Sequence, residues 1–244
     1  MELILDLGNT HEKLALFDAG CLLLVQNHPV ITRQILTGFI DSNPGITSCI
    51  LSSVVKHQED IEEYLKNNFR FISLDEYTPV PIVNRYETKS SLGKDRLAAA
   101  VAGAATFPNE NVLIIGAGTA LTFDFVNDRG EYLGGSIAPG MQMRFNALHT
   151  FTDKLPLVTY REPAALIGNN TQMSILSGVV NGIVAEIEGI AHGYRENYPG
   201  LKIILTGGDL NYFVKWLKIS IFALPNIVIH GLQQILQFNV NNPK

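Results

Sequence analysis

Short apolar runs closed by glycine-bearing corners alternate along this chain with stretches of helical period. Leu3-Ile-Leu-Asp6 stops at Gly8-Asn9-Thr10, residues 13–17 alternate loosely, and Asp18-Ala-Gly20 turns the chain into 21–25, so residues 2–27 read as three strands. Residues 31–41 read as a helix and 48–54 as a buried strand. Residues 57–67 read as a helix with Ile61, Tyr64 and Leu65 on one face, and 69–74 as a strand. Residues 75–91, with Pro79 and Pro81, read as irregular; the Ala-rich segment 94–106 reads as a helix with Pro108 just past its end. Strand signals return at 112–115, 121–126 and 132–137, the first broken by Gly116-Ala-Gly118-Thr119. Residues 171–197 form the longest helical stretch, with Ile175, Val179, Ile183, Ile187 and Ile190 on one face. A strand at 201–205 ends in Thr206-Gly207-Gly208, Asp209 is placed to cap a helix through Leu217, and 231–238 reads as a short helix.

An offset of 110 lays Leu3-Ile4-Leu5 on Leu113-Ile114-Ile115 and Gly8 on Gly118. Both halves then read strand, glycine corner, strand, turn, strand, helix. Two similar domains, 1–110 and 111–244, are expected from this repeat.

Composition narrows the class. Of 244 residues 46% are hydrophobic and 17% charged, which excludes general disorder. The net charge of −5 and the lack of a basic run longer than two residues disfavour nucleic acid as a partner. Two cysteines without a Cys-x-x-Cys spacing point to a reducing compartment, and the N-terminus does not read as a signal peptide. The uncharged stretch 219–242 is interrupted by Pro225, His230 and several amides, so no membrane span is expected there. A cytoplasmic α/β protein is the resulting expectation.

The corners carry candidate chemistry. Gly8 and Asn9 tolerate positive φ and could turn backbone N–H groups to one side. Thr10 adds a hydroxyl, Lys13 a cation, and Asp6 could hold Mg²⁺ directly or through water. A hairpin turn with a capping aspartate uses the same residues. Gly118, Thr119 and Thr122 form a second corner open to phosphate. Thr206-Gly-Gly208 could let backbone lie against a base or ribose, or be a plain strand-to-helix turn. Asp95 beside Arg96, after Gly93-Lys94, could be a general base next to an anion-binding guanidinium, or a capped helix start with solvated charge. Gly134-Gly-Ser-Ile-Ala-Pro-Gly140 reads as a rigid turn into a helix. His11, His57 and His230 have no metal spacing. No Rossmann or Walker glycine pattern occurs.

Taken in order, these motifs resemble the type III pantothenate kinases, of the actin, Hsp70 and sugar-kinase fold superfamily. The resemblance runs from Asp6-Leu-Gly-Asn-Thr10 with Lys13 through Tyr86, Gly93-Lys-Asp-Arg96, Gly118-Thr119-Ala120 with Thr122 and Asp124, Gly134–140, Leu155-Pro156 and Gly168-Asn-Asn-Thr171 to Thr206-Gly-Gly208. It implies an α/β fold of duplicated actin-like (ribonuclease H-like) domains with mixed five-stranded sheets and an ATP cleft between them. It implies ATP-dependent phosphorylation of pantothenate, the first step of coenzyme A synthesis. Residues Asp6, Leu7, Gly8, Asn9, Thr10, His11, Glu12, Lys13 and Thr119 would then contact ATP, with Mg²⁺ at Asp6. Tyr86, Gly93, Lys94, Asp95, Arg96 and Thr171 would bind pantothenate, Asp95 taking the proton. A homodimer and a monovalent cation, K⁺ or NH₄⁺, are implied too. The family pattern has a cation-ligating aspartate where this chain has Gly116. That departure keeps a non-catalytic nucleotide-binding relative as an alternative, beside a kinase of another small alcohol.

Overall fold

The computed structural model describes residues 1–8, 10–55, 59–160 and 165–242. Two compact units emerge: Met1–Thr106 with Gly130–Tyr132 and Asn226–Lys244, and Phe107–Arg129 with Leu133–Pro225.

In the first unit β1 (Glu2–Leu7), β2 (Glu12–Asp18) and β3 (Cys21–His28) form an antiparallel meander. β4 (Ser48–Ser53) and β5 (Arg70–Ser73) join on the other side of β1 in parallel, giving the order β3-β2-β1-β4-β5. Leu3–Leu5 of β1 and Cys49–Leu51 of β4 are buried apolar runs, as interior strands covered on both sides require. Strand period two then sorts the side chains. Leu3, Leu5 and Leu7 enter one core with Leu36 and Phe39 of α1 (Arg33–Asp41) and Ile61 and Leu65 of α2 (Glu59–Asn68). Ile4, Ala15 and Phe17 enter the opposite core with Ala98 and Val101 of α3 (Lys94–Thr106).

The second unit repeats this plan. β7 (Val112–Ala117), β8 (Ala120–Val126) and β9 (Glu131–Pro139) are followed by α4 (Met141–Thr150) and the 27-residue α5 (Thr171–Asn197). β10 (Lys202–Thr206), α6 (Leu210–Phe213) and β11 (Phe222–Ala223) complete it, in the order β11-β10-β7-β8-β9. That order is the first unit's with each strand replaced by its counterpart. The repeat extends to register: Asp6 pairs with Lys13 across β1 and β2, and Gly116 pairs with Thr122 across β7 and β8. Among the described helices α5 alone is long and apolar enough to cross a bilayer, but its Ile175, Val179, Ile183 and Ile187 are buried in this unit's core.

Several elements depart from the sequence reading. α7 (Ile227–Asn241) is nearly twice the helix expected at 231–238 and belongs to the first unit, although a division at residue 110 would put it in the second. Its Ile229, Leu232, Ile235 and Leu236 share the core of Ala98 and Val101. The helix expected from Asp209 through Leu217 is only the four residues of α6, and the Asp209 side chain makes no capping bond. The turn expected across residues 134–140 is strand through Pro139. Within 75–91 lies a two-residue strand, β6 (Val83–Asn84), paired in parallel with Glu131 and Tyr132 of β9. His57, at the expected start of α2, lies outside the described residues.

Candidate active site

The chemistry of the first unit follows from the parity of its strands. Asp6 shares the face of Glu2 and Ile4, and Lys13 that of Ala15 and Phe17, so both point to the side covered by α3 and α7. On that side α3 begins, with Asp95 in its first turn, where the helix dipole favours a carboxylate. Asp6 is only partly exposed, and burial pushes its carboxyl up to about 6. Lys13 opposes the rise and the carboxylate of Asp95 adds to it. Two carboxylates and a lysine thus act on one another at the open end of β1.

The corner between β1 and β2 differs in detail from the expectation. Gly8 does not take positive φ. What it does is let the turn close, because a Cβ there would stand 2.9 Å from the His11 carbonyl oxygen. Thr10 and His11 are exposed, Leu7 is buried in the core, and Asn9 lies outside the described residues. Glu12 turns inward, 8% exposed, and its carboxylate accepts the backbone N–H of Ile31. That contact pins the segment ahead of α1 and leaves Lys13 as the charged side chain of the corner on the α3 side.

At the head of α3, Asp95 is exposed and its Oδ1 accepts the Arg96 N–H at 2.9 Å. Arg96 is 7% exposed, and its guanidinium carbon sits 5.8 Å from the centroid of the Tyr86 ring. Lys94 faces Asp75 instead. Hydrogen bonds from the Thr78 hydroxyl and the Tyr77 and Thr78 backbones hold that carboxyl below the usual carboxylate range, with Lys94 adding to the effect.

In the second unit three of the sequence motifs converge on one corner. A Cβ at Gly140 would stand 2.1 Å from the Gly118 oxygen, and one at Gly207 (φ +102°) would stand 2.1 Å from the Ala117 oxygen. The Gly140 N–H donates to Thr119 O at 3.2 Å and the Asp209 N–H to Ala117 O at 3.0 Å. Only glycine fits at 140 and 207, so the turn at 117–119 is clasped from both sides with Thr119 exposed. Burial raises the Asp209 carboxyl above its ordinary value beside this corner. At Gly116 a Cβ would meet the Thr122 hydroxyl at 2.6 Å, so that hydroxyl fills the space beside the glycine. Thr171 is exposed at the first residue of α5, which Asn170 caps by accepting the Met173 N–H at 3.0 Å. With Pro139, Arg144, Leu155 and Ile175 it lines a cavity of about 620 Å³.

The structure therefore gathers Asp6, Lys13, Asp95, Arg96 and Tyr86 within the first unit and places Thr119 and Thr171 in the second. The motif reading did not single out Tyr132, which is fully buried and stacks on Tyr86 at 6.1 Å. Its place in an alternating strand gave it only a core signature.

The sequence profile of the type III pantothenate kinases matches residues 2–193. A type III pantothenate kinase of Christiangramia forsetii is 42% identical over 242 residues, covering 98% of this chain and 99% of its own. Among solved structures, a Baf family protein from Campylobacter jejuni matches with a TM-score of 0.60 at 22% identity, covering 98% of this chain and 99% of its own. MreB 5 of Spiroplasma citri, bound to AMPPNP, matches with a TM-score of 0.50 at 12% identity over 100% of this chain and 98% of its own. These likenesses show a duplicated actin-like fold. The full-length match to a curated relative, together with the profile, shows that the chain belongs to the type III pantothenate kinase family.

Proposed function

We propose that Asp6, Lys13, Asp95, Arg96 and Tyr86 carry the family's reaction in this chain, the ATP-dependent phosphorylation of pantothenate to 4′-phosphopantothenate in coenzyme A synthesis. The observation that carries the assignment is the cross-strand pair of Asp6 and Lys13 on the face of the first sheet covered by α3, whose first turn carries Asp95.

Phosphoryl transfer is chiefly positioning and charge neutralisation. Lys13, the backbone at Gly8, Thr10 and His11, and Thr119 would meet ATP. A carboxyl raised by burial and by a second carboxylate suits a divalent cation, so Asp6 would hold Mg²⁺ directly or through water. The chemistry Mg²⁺ supplies when bound is neutralisation of phosphate charge. Asp95, exposed at the head of α3, accepts the proton of the primary hydroxyl of pantothenate as the hydroxyl oxygen bonds to the γ-phosphorus and the bond from that phosphorus to the bridging oxygen breaks, releasing ADP. Arg96 holds the substrate by charge-assisted hydrogen bonds, beside the face of Tyr86. Gly93, Lys94 and Thr171 complete the proposed set of pantothenate-binding residues.

A homodimer, a cytoplasmic location and a weakened monovalent-cation site at Gly116 complete the proposal. Gly116 offers no side-chain oxygen, and the Thr122 hydroxyl occupies the adjoining space. The function is tested by incubating the purified protein with ATP, Mg²⁺ and pantothenate and following product by mass. Formation of phosphopantothenate in step with ADP is expected; ADP release that pantothenate does not stimulate would refute the proposal.

A further inference from the structure

Tyr86 sits on a segment with little structure of its own. β6 has two residues, too short to be stable alone. It is held by addition to the first residues of β9. The Val83 N–H donates to Gly130 O and the Arg85 N–H to Tyr132 O, both at 2.9 Å. The Arg85 guanidinium adds a two-pronged contact to Glu131 Oε1 at 3.1 and 2.8 Å. These bonds fix the backbone but leave the Tyr86 ring free to rotate about its side-chain bonds. The ring's direction is set from its other side. Tyr132 is fully buried and lies nearly parallel to it, 22° between planes and 6.1 Å between centroids. The Tyr86 ring thus has two close neighbours, the rigid ring of Tyr132 and the Arg96 guanidinium.

We propose that Tyr132 is a positioning residue for pantothenate binding, acting through Tyr86 on the orientation of Arg96; the proposal rests on the assignment of Tyr86 and Arg96 to the pantothenate site. An aromatic face attracts a guanidinium most strongly where water is excluded, and Arg96 is 7% exposed. Offset stacking restricts the outer ring beyond what burial alone does. Without the Tyr132 face the Tyr86 ring samples other rotamers, and the guanidinium loses a fixed neighbour. The consequence falls on substrate affinity. Asp95 keeps its place on α3 through its own helix and its bond to the Arg96 N–H, so the chemical step is untouched.

The test is steady-state kinetics at saturating ATP for Tyr132→Phe, Tyr132→Leu, Tyr86→Leu and the double leucine variant, each checked for a cooperative thermal transition. Tyr132→Leu is expected to raise the KM for pantothenate by about 3- to 10-fold, with kcat and the KM for ATP within about twofold of wild type. Tyr132→Phe, which keeps the ring, is expected to restore wild-type KM. The double variant is expected to match Tyr86→Leu alone, because the effect passes through Tyr86. If Tyr132→Leu does not fold, Tyr132→Met fills similar volume without a flat face and carries the same prediction. An unchanged pantothenate KM in the folded Leu or Met variant overturns the role of Tyr132, as does a full additive loss in the double variant. An unchanged KM in Tyr86→Leu overturns the underlying assignment of Tyr86 and the inference with it.

Discussion

Asp6 is a residue placed against its own preference. Its carboxyl rises from an ordinary 3.8 to about 6 because burial disfavours the charge; Lys13 opposes the rise and Asp95 adds to it. A folded-state value above the unfolded one means that ionised Asp6 lowers stability. The penalty is absent below about pH 4, grows through the interval to about 6, and is complete above it. Asp6→Asn should therefore stabilise the protein at pH 8 without nucleotide or metal, by up to about 3 kcal/mol, with the gain fading as pH falls toward 4. Urea titrations with chelator present read this directly, and a variant no more stable than wild type at pH 8 would contradict it. Gly116 makes the complementary case. Activity should respond little to potassium, and Gly116→Asp should gain a response provided that the Thr122 hydroxyl, 2.6 Å from the new Cβ, rotates away. Rates in potassium and sodium at fixed ionic strength decide it, strong potassium activation of the wild type being the opposing result. At this scale chemistry and spacing in the sequence single out Asp6, Lys13 and Asp95-Arg96, and the fold places them all in the first unit. The sequence was not readable at Glu12, whose inward turn onto Ile31 is set by tertiary packing, nor at Tyr132, whose stacking partner lies 46 positions away.

Long elements with strong periodicity followed their sequence. α3 and α5 begin and end where the Ala-rich composition and the isoleucine face place them. Short elements did not, because contacts made elsewhere create them. β6 exists only by pairing with β9, β11 only by pairing with β10, and α6 stops after one turn. α7 shows an element whose role was hidden. Its Gly231 lies so close to α3 that a Cβ would stand 1.8 Å from the Ala98 oxygen. Since that neighbour is backbone, no rotamer relieves the clash. Gly231→Ala should destabilise by about 1–3 kcal/mol, with the urea midpoint as the readout. An unchanged midpoint would show that the α3–α7 contact is looser than described.

The whole molecule is a duplicated plan in which the copies have diverged in chemistry. The first copy keeps Asp6 and Lys13 as a cross-strand pair, and the second has Gly116 and Thr122 in the same register. The duplication was legible from the offset of 110 residues, whereas the return of α7 to the first unit was not, since nothing in its composition names a partner. α5 bears on assembly. Its Ile175, Ile183 and Ile187 are buried, while a Cβ at Gly178, Gly182, Gly189 or Gly193 would meet nothing within 4 Å. A smooth face along a 27-residue helix suits close approach of a second copy. Sedimentation at micromolar concentration should give twice the monomer mass of 26.8 kDa, and a monomer alone would contradict that assembly. The central claim is that Asp95 takes the proton from pantothenate, and the measurement that reaches it most directly is turnover of Asp95→Asn beside its affinity for ATP. Turnover should fall by about 10²- to 10⁴-fold while ATP binding by titration calorimetry stays near wild type. A variant retaining more than half of wild-type turnover would remove Asp95 from the reaction.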